Sequence, residues 1–209
     1  MFGIVGYGSF LISSVALNLT PGADTIYILS RSAVGGRKKG IVSALGISTG
    51  ILIHTLLAAF GLSALLASSE VAFNIMKTLG AAYLIFMGIK TLISKKSILN
   101  PQENSGESLL LTYRQGVLTN ALNPKVALFF LALLPQFVSA DNSYGVLPFL
   151  ILGLSFFATS TVWSLILAFI SSFIARLLER SDRAKTLAGK SAGLIYILIG
   201  LNIFTAKRV

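Results

Sequence analysis

Long apolar runs alternate with short polar or basic segments along the whole chain. Each run is long enough to cross the roughly 30 Å hydrocarbon core of a bilayer as an α-helix. The runs cover about residues 5–30, 40–66, 71–92, 116–138, 144–173 and 187–204. This pattern predicts an all-α integral membrane protein with six transmembrane helices.

The only long polar segment, at about 93–115, separates two halves of three predicted spans each (about 1–92 and 113–209). An odd number of spans makes the second half enter the membrane from the opposite side, so we predict a 3+3 inverted repeat within one transmembrane domain, residues 1–209. Two similar interruptions support the repeat, because Leu19-Thr20-Pro21 lies in the first span and Leu122-Asn123-Pro124 in the fourth. Paired helix breaks in corresponding spans are typical of a transporter binding site.

The basic residues predict the orientation. Lys and Arg collect in the connections on one side of the predicted bundle, whereas the 2–3 and 4–5 connections carry none. The basic connections hold Arg31, Arg37, Lys38 and Lys39, then Lys90, Lys95, Lys96 and Arg114, and finally Arg176, Arg180, Arg183, Lys185 and Lys190. Short loops rich in Lys and Arg stay in the cytoplasm, so we expect the 93–115 loop there and both termini outside.

Composition narrows the function. Charged residues make up 11% of the 209 residues, less than half of the roughly 25% usual in soluble domains. The net charge of +10 follows from the basic connections, so we expect no nucleic-acid partner. There is no cysteine, a single histidine and no P-loop motif. We therefore expect neither an enzyme, nor a bound cofactor, nor a metal site.

The two breaks are candidate binding elements. A proline inside a helix removes a hydrogen bond and clashes with the preceding turn. Within a membrane the freed groups need protein or a watery cavity around them. Pro21 with Gly22, and Asn123 with Pro124, could thus present free amides and carbonyls to the carboxylate and ammonium of a small zwitterion. The alternative is a pair of proline kinks that serve packing alone.

Two charges lie next to these breaks, Asp24 after Pro21 and Lys125 after Pro124. A charge inside a membrane normally faces the protein interior and finds a partner. Lys125 could attract a substrate carboxylate, while Asp24 attracts an ammonium or carries a coupling proton. A structural Asp24–Lys125 ion pair is the alternative, and both interpretations can hold. His54, in the second span, is a proton relay candidate or simply a packed hydrogen-bonding residue.

Two further patterns concern packing. Gly46 and Gly50 form a small-xxx-small pattern, which permits close approach of a neighbouring helix. Phe129 and Phe130 follow the second break, where they could wall a cavity or face lipid.

Taken in order, several motifs resemble those of the LysE/RhtB superfamily of bacterial amino-acid exporters over nearly the whole chain. The motifs are Leu19-Thr20-Pro21-Gly22-Ala23-Asp24, Gly36-Arg37-Lys38-Lys39-Gly40, Gly46-Ile47-Ser48-Thr49-Gly50 with His54, Gly80-Ala81-Ala82-Tyr83-Leu84 with Gly88, Asn123-Pro124-Lys125 and Pro135-Gln136-Phe137-Val138. The resemblance implies proton-driven secondary export of amino acids across the bacterial cell membrane. It also implies substrate-binding roles for Pro21, Gly22, Asp24, Asn123, Pro124 and Lys125. Ala23 stands where the family often has a second proline.

One buried anion and one buried cation favour a neutral amino acid, since a basic substrate would need a second buried carboxylate. A metal or other cation exporter is one alternative, and a non-transporting membrane scaffold is another. The expected partners are the amino acid, protons and the lipid bilayer. A homodimer is plausible because six short helices enclose little volume.

Overall fold

The computed structural model describes residues 2–62 and 108–180, together with single helical positions between 71 and 93 and between 190 and 204. The predicted spans 71–92 and 187–204 are therefore described only at isolated positions, all of them helical. Most of the polar segment 93–115, with Lys90, Lys95 and Lys96, lies outside the described residues.

Five α-helices build the continuous part of the structure. They are α1 (Tyr7–Leu19), α2 (Ala23–Leu57), α3 (Leu109–Ala121), α4 (Pro124–Leu128) and α5 (Leu147–Arg180). A π-helical turn, Ala58–Leu62, continues α2. A second one, Phe129–Leu133, and a 3₁₀ turn, Leu134–Phe137, continue α4. Residues 2–62 and 108–180 contain no strand beyond the isolated bridge of Ile4 with Val138, which confirms the all-α prediction for this part.

Within the described residues, two helices are long and apolar enough to cross a membrane, Gly35–Gly61 and Leu147–Ser171. A third span is formed if Leu109–Ala121 and Pro124–Phe137 count as one broken helix, bent by 43°. The prediction of several membrane spans is confirmed, and so is the break in the fourth apolar run. The 3+3 inverted repeat stays a prediction.

The first two apolar runs are connected differently from the prediction. We expected a basic loop between about 30 and 40, but α2 continues from Ala23 through this region to Leu57. Its direction changes at Gly36, which has φ 68° and ψ −172°. Glycine adopts this positive φ without the steric penalty that a Cβ brings. A one-residue kink therefore replaces the expected loop, and Arg31 and Lys39 are helical residues.

The kinked α2 packs against both α3 and α5. A Cβ on Gly50 would lie 2.6 Å from the Cβ of Asn120, and one on Gly46 would meet the carbonyl oxygen of Tyr113. Gly116 of α3 faces the same contact. The backbones of α2 and α3 thus touch, which confirms the close approach predicted from Gly46 and Gly50.

Aromatic rings fill the space between α1, α5 and the turn after α4. The ring centroids of Phe129 and Phe156 lie 4.6 Å apart, and those of Phe10 and Phe129 lie 5.8 Å apart. Phe129 and Phe130 are buried. The lipid-facing alternative for these two residues is therefore wrong, and they belong to the core.

The N-terminal residues are tied to the segment that precedes α5. The Val5 amide donates to the Phe137 carbonyl at 2.9 Å, and the Ser139 amide donates to the Gly3 carbonyl at 2.8 Å. The Tyr7 hydroxyl lies 2.8 Å from the Ser155 hydroxyl. These bonds close the end of the structure at which α1 begins.

Candidate functional site

The two helix breaks meet at one place. α1 ends at Leu19, and the carbonyl of the following Thr20 accepts a hydrogen bond of 2.7 Å from the Lys125 ammonium. A helix C-terminus carries partial negative charge, so a cation is stabilised there. Lys125 belongs to the first turn of α4. This single bond therefore joins the break of the first apolar run to the break of the fourth.

The Asn-Pro-Lys motif begins a helix rather than kinking one. The Asn123 side-chain oxygen accepts from the Lys125 amide at 3.0 Å, an N-terminal cap. Pro124 follows as the first helical residue, where its missing N–H costs nothing because helix N-termini leave their amides unpaired. The sequence had suggested a kinked span, and the cap explains why a new helix starts here instead.

Asp24 occupies the matching position at the first break. It lies in the first turn of α2, after Gly22, and the partial positive charge of a helix N-terminus favours a carboxylate there. Its Oδ2 accepts a hydrogen bond of 2.9 Å from the Asn120 side-chain amide. Lys125 and the Asn123 amide also act electrostatically on the carboxylate. Each break therefore places one charge of opposite sign at the start of a helix.

Four buried polar atoms at this site make no hydrogen bond within the described part of the chain. They are two acceptors, Oδ1 of Asp24 and Oδ1 of Asn120, and two donors, Nδ2 of Asn123 and Nε1 of Trp163. Buried polar groups are nearly always paired, and an unpaired one is a site where a ligand or water is expected. The site thus presents unused acceptors and unused donors together, and the Asn123 amide lies near enough to the Asp24 carboxylate to act on it.

Asn120 links this pair to His54. Besides donating to Asp24, Asn120 places its carbonyl oxygen 3.0 Å from Nε2 of His54. The imidazole stacks on the Phe130 ring, with centroids 5.7 Å apart. Asn120 is fully buried and His54 nearly so. Asn120 therefore contacts both residues, His54 through its backbone carbonyl oxygen and Asp24 through its side-chain amide.

Asp24 and Lys125 line the same small cavity between α1, α2, α4 and α5. Its volume is about 20 Å³, room for about one water molecule. The hydroxyls of Ser160 and Ser164 and the indole of Trp163 complete its polar lining. A space of this size is too small for an amino acid.

An apolar groove of about 390 Å³ adjoins the cavity on the side of α1 and α5. Asn18 and Trp163 line both spaces. The described residues that line the groove are Val15, Asn18, Leu19, Ala158, Thr159, Val162, Trp163 and Ile166.

The structure brings together the residues singled out from the sequence. Asp24 and Lys125 line the cavity, and Asn123 caps the helix that carries Lys125. Pro21, Gly22 and Pro124 lie at the backbone breaks next to them. His54 is connected through Asn120. Their roles in binding and proton coupling remain predictions.

Sequence reasoning missed Asn120, the Thr20 carbonyl and Trp163. Asn120 carried a usable signal, because it is a second asparagine in an apolar run, one helical turn before Asn123. Trp163 is the only tryptophan of the chain. The Thr20 carbonyl had no side-chain signal at all.

Apolar spans interrupted at a buried site with one carboxylate and one ammonium define a multi-pass membrane protein of the transporter class. The family model of LysE type translocators matches residues 15–207. The chain belongs to this family.

Individual relatives match along nearly their full lengths. A leucine efflux protein of Klebsiella pneumoniae is 27% identical over 207 residues, covering 99% of this chain and 98% of that protein. Uncharacterized membrane proteins of Bacillus subtilis and Vibrio cholerae are each 29% identical, covering 88% and 95% of this chain and 90% and 96% of those proteins. No solved structure matches the chain.

Proposed function

We propose that this protein exports neutral amino acids from the cytoplasm in exchange for protons. Membership of the LysE translocator family and the similarity to a leucine efflux protein support amino-acid export. The observation that supports the substrate class is the presence of unpaired buried acceptors and donors, among them Asp24 Oδ1 and Asn123 Nδ2, at a site that holds the opposite charges of Asp24 and Lys125.

The arrangement matches a zwitterion. The substrate ammonium donates to Asp24 Oδ1, and the substrate carboxylate accepts from Asn123 Nδ2 and is attracted by Lys125. Charge-assisted hydrogen bonds of this kind are the strong ones. Among the described residues, the cavity lining holds no second carboxylate, so a lysine or arginine side chain would find no counter-ion in this part of the lining. A neutral amino acid leaves every charge at the site matched.

Competition for Asp24 would couple export to protons. A carboxylate that binds the substrate ammonium cannot hold a proton on the same oxygen at the same time. If the unloaded protein returns only with Asp24 protonated, each amino acid moved outward is followed by a proton moved inward. His54 lies within two hydrogen bonds of Asp24 through Asn120 and is the candidate that passes the proton on.

The basic residues support an orientation for this transport. With Arg31 and Arg37 on the cytoplasmic side, the closed end formed by residues 3–7 and 137–139 faces outward, and both termini lie outside the cytoplasm. The bacterial cell membrane is the location that this proposal implies. A homodimer remains a further prediction.

The cation-exporter alternative has less support. A transported metal ion needs several oxygen, nitrogen or sulfur ligands. Within residues 2–62 and 108–180, no three His, Asp or Glu side chains lie together in a way that could hold one. The scaffold alternative requires the charges at the two breaks to be dispensable.

Efflux from proteoliposomes loaded with the twenty amino acids tests the proposal. An imposed pH gradient, with the receiving side acidic, drives efflux through the wild type, Asp24→Asn and Lys125→Met. The matched controls are Asp141→Asn and Lys38→Met, which neutralise exposed charges outside the cavity. We expect the wild type and both controls to export one or a few neutral amino acids, and both site variants to export none.

Three results would contradict the proposal, the third of them only its proton exchange. If Asp24→Asn and Lys125→Met export at the wild-type rate, the charges are structural. If the correctly inserted wild type moves no amino acid with or without the gradient, the result favours the scaffold alternative. Export that persists unchanged without a pH gradient, and does not alkalinise the medium, would refute proton exchange while leaving amino-acid export intact.

A further inference from the structure

The apolar groove between α1 and α5 has no role in holding a zwitterion's charges. We propose that it is the subsite for the substrate's side chain, which makes branched apolar amino acids the preferred substrates. This inference rests on the proposed function, because it places the α-carbon of the amino acid in the cavity between Asp24 and Lys125.

Continuity between the two spaces is the first support. Asn18 and Trp163 line both the cavity and the groove, so a molecule held by its charged end in the cavity has the groove directly beyond these two side chains. The Asn18 amide makes a long hydrogen bond of 3.4 Å to the Thr159 hydroxyl, so this side chain is weakly held. A modest side-chain movement would join cavity and groove.

Trp163 gives a second observation. Its indole N–H is buried and donates to no acceptor within the described residues. A buried indole N–H normally finds a partner. A substrate carboxylate in the cavity would supply that partner, and the ring would then turn its apolar face toward the substrate's side chain. Trp163 is thus placed to contact the carboxylate of the ligand with its N–H and the apolar side chain with its ring.

The lining of the groove selects the side chain. Val15 and Leu19 of α1 face Val162 and Ile166 of α5, and the lining contains no charged residue. An acidic or basic side chain would be desolvated there without a partner. A leucine side chain buries three carbons more than alanine does, which corresponds to a preference of about 50-fold if all three are transferred from water. The volume of about 390 Å³ is ample for such a side chain.

Filling the groove tests the assignment. Val15→Trp and Val162→Trp introduce bulk into the lining from either helix. The matched controls are Ile12→Trp on α1 and Leu154→Trp on α5, which replace exposed apolar residues outside the groove. Leucine and alanine efflux are measured separately in proteoliposomes. We expect the groove variants to raise the KM for leucine about tenfold or more while alanine efflux stays close to wild type and the controls change neither.

An enlarging variant keeps the test valid if a tryptophan prevents folding. Val162→Ala widens the groove, and we expect it to raise phenylalanine efflux relative to leucine. If lipid chains or another copy of the protein occupied the groove, leucine efflux and alanine efflux would fall together in the filled variants, or neither would change. Either result overturns the assignment of the groove as a side-chain subsite. If the wild type exports alanine but not leucine, the subsite assignment is wrong while the proposed amino-acid export remains. If the wild type exports no amino acid, both the subsite and the proposed function are wrong.

Discussion

Replacing Asn120 with leucine should weaken substrate binding more than any other substitution outside the charged pair. Leucine branches at the same carbon as this fully buried side chain, although it is larger, and it removes the 2.9 Å hydrogen bond to Oδ2 of Asp24. That bond fixes the carboxylate so that Oδ1 remains available to the substrate ammonium. Without it, both oxygens of Asp24 are unsatisfied and the carboxylate is free to rotate away.

The magnitude follows from the charge on Asp24. A hydrogen bond to a charged group contributes about 1.5–3 kcal/mol. Since 1.4 kcal/mol changes an equilibrium constant tenfold, we expect the affinity for the exported amino acid to fall about 10- to 150-fold. We expect the affinity to fall because the geometry of the site changes, while membrane insertion of the protein stays the same.

Substrate-induced thermal stabilisation in detergent and the KM for efflux from proteoliposomes both measure this effect. Thr119→Val is the matched control, because Thr119 is the preceding residue of α3 and its hydroxyl bonds only to the Gln115 carbonyl. If Asn120→Leu binds within twofold of wild type, Asn120 does not orient Asp24 for the substrate. The assignment of the unpaired oxygen as the ammonium acceptor would then fail as well.

Three further outcomes are expected. Gly46→Ala should lower the melting temperature because its Cβ meets the Tyr113 carbonyl, an overpacking that costs about 1–3 kcal/mol. The control Gly61→Ala should not, because there is open space around Gly61. Equal melting temperatures of the two variants would contradict the close contact of α2 and α3. His54→Gln should preserve folding and amino-acid binding but reduce proton-driven efflux, measured with a pH-sensitive dye inside the liposomes, and unchanged proton movement would remove His54 from the relay. Trp163→Phe should weaken binding about fivefold to tenfold by removing a neutral donor worth about 1 kcal/mol, as isothermal titration would show, and unaltered binding would mean that the indole N–H does not reach the substrate.

The sequence was most informative at residues that carry a high free-energy cost inside a membrane. Asp24 and Lys125 could be identified as site residues because a lone charge in hydrocarbon requires a partner, and the structure places both on one cavity. Pro21 and Pro124 predicted the breaks because proline cannot continue a helix without losing a hydrogen bond. The close approach at Gly46 and Gly50 followed from side-chain size alone.

Other features depended on three-dimensional context. Gly36 could not be distinguished from a loop residue, since a single positive φ both kinks a helix and ends one. The burial of Phe129 depended on α1 and α5, which reach it from distant parts of the chain. The Lys125 bond to the Thr20 carbonyl uses backbone, which every residue shares and no sequence pattern marks. The substrate's own side chain could not be addressed before the groove was visible.

The closure of the N-terminal end has a consequence for how the protein is made. Tyr7 bonds to Ser155, a residue 148 positions later. At a synthesis rate of about 5–20 residues per second, roughly 7–30 seconds separate the appearance of these two partners on the ribosome. During that interval the first helix lacks the partner that bonds to its N-terminal end. Assembly of the closed end is therefore a late, post-insertion event, and α1 depends until then on its own apolar character to keep its place.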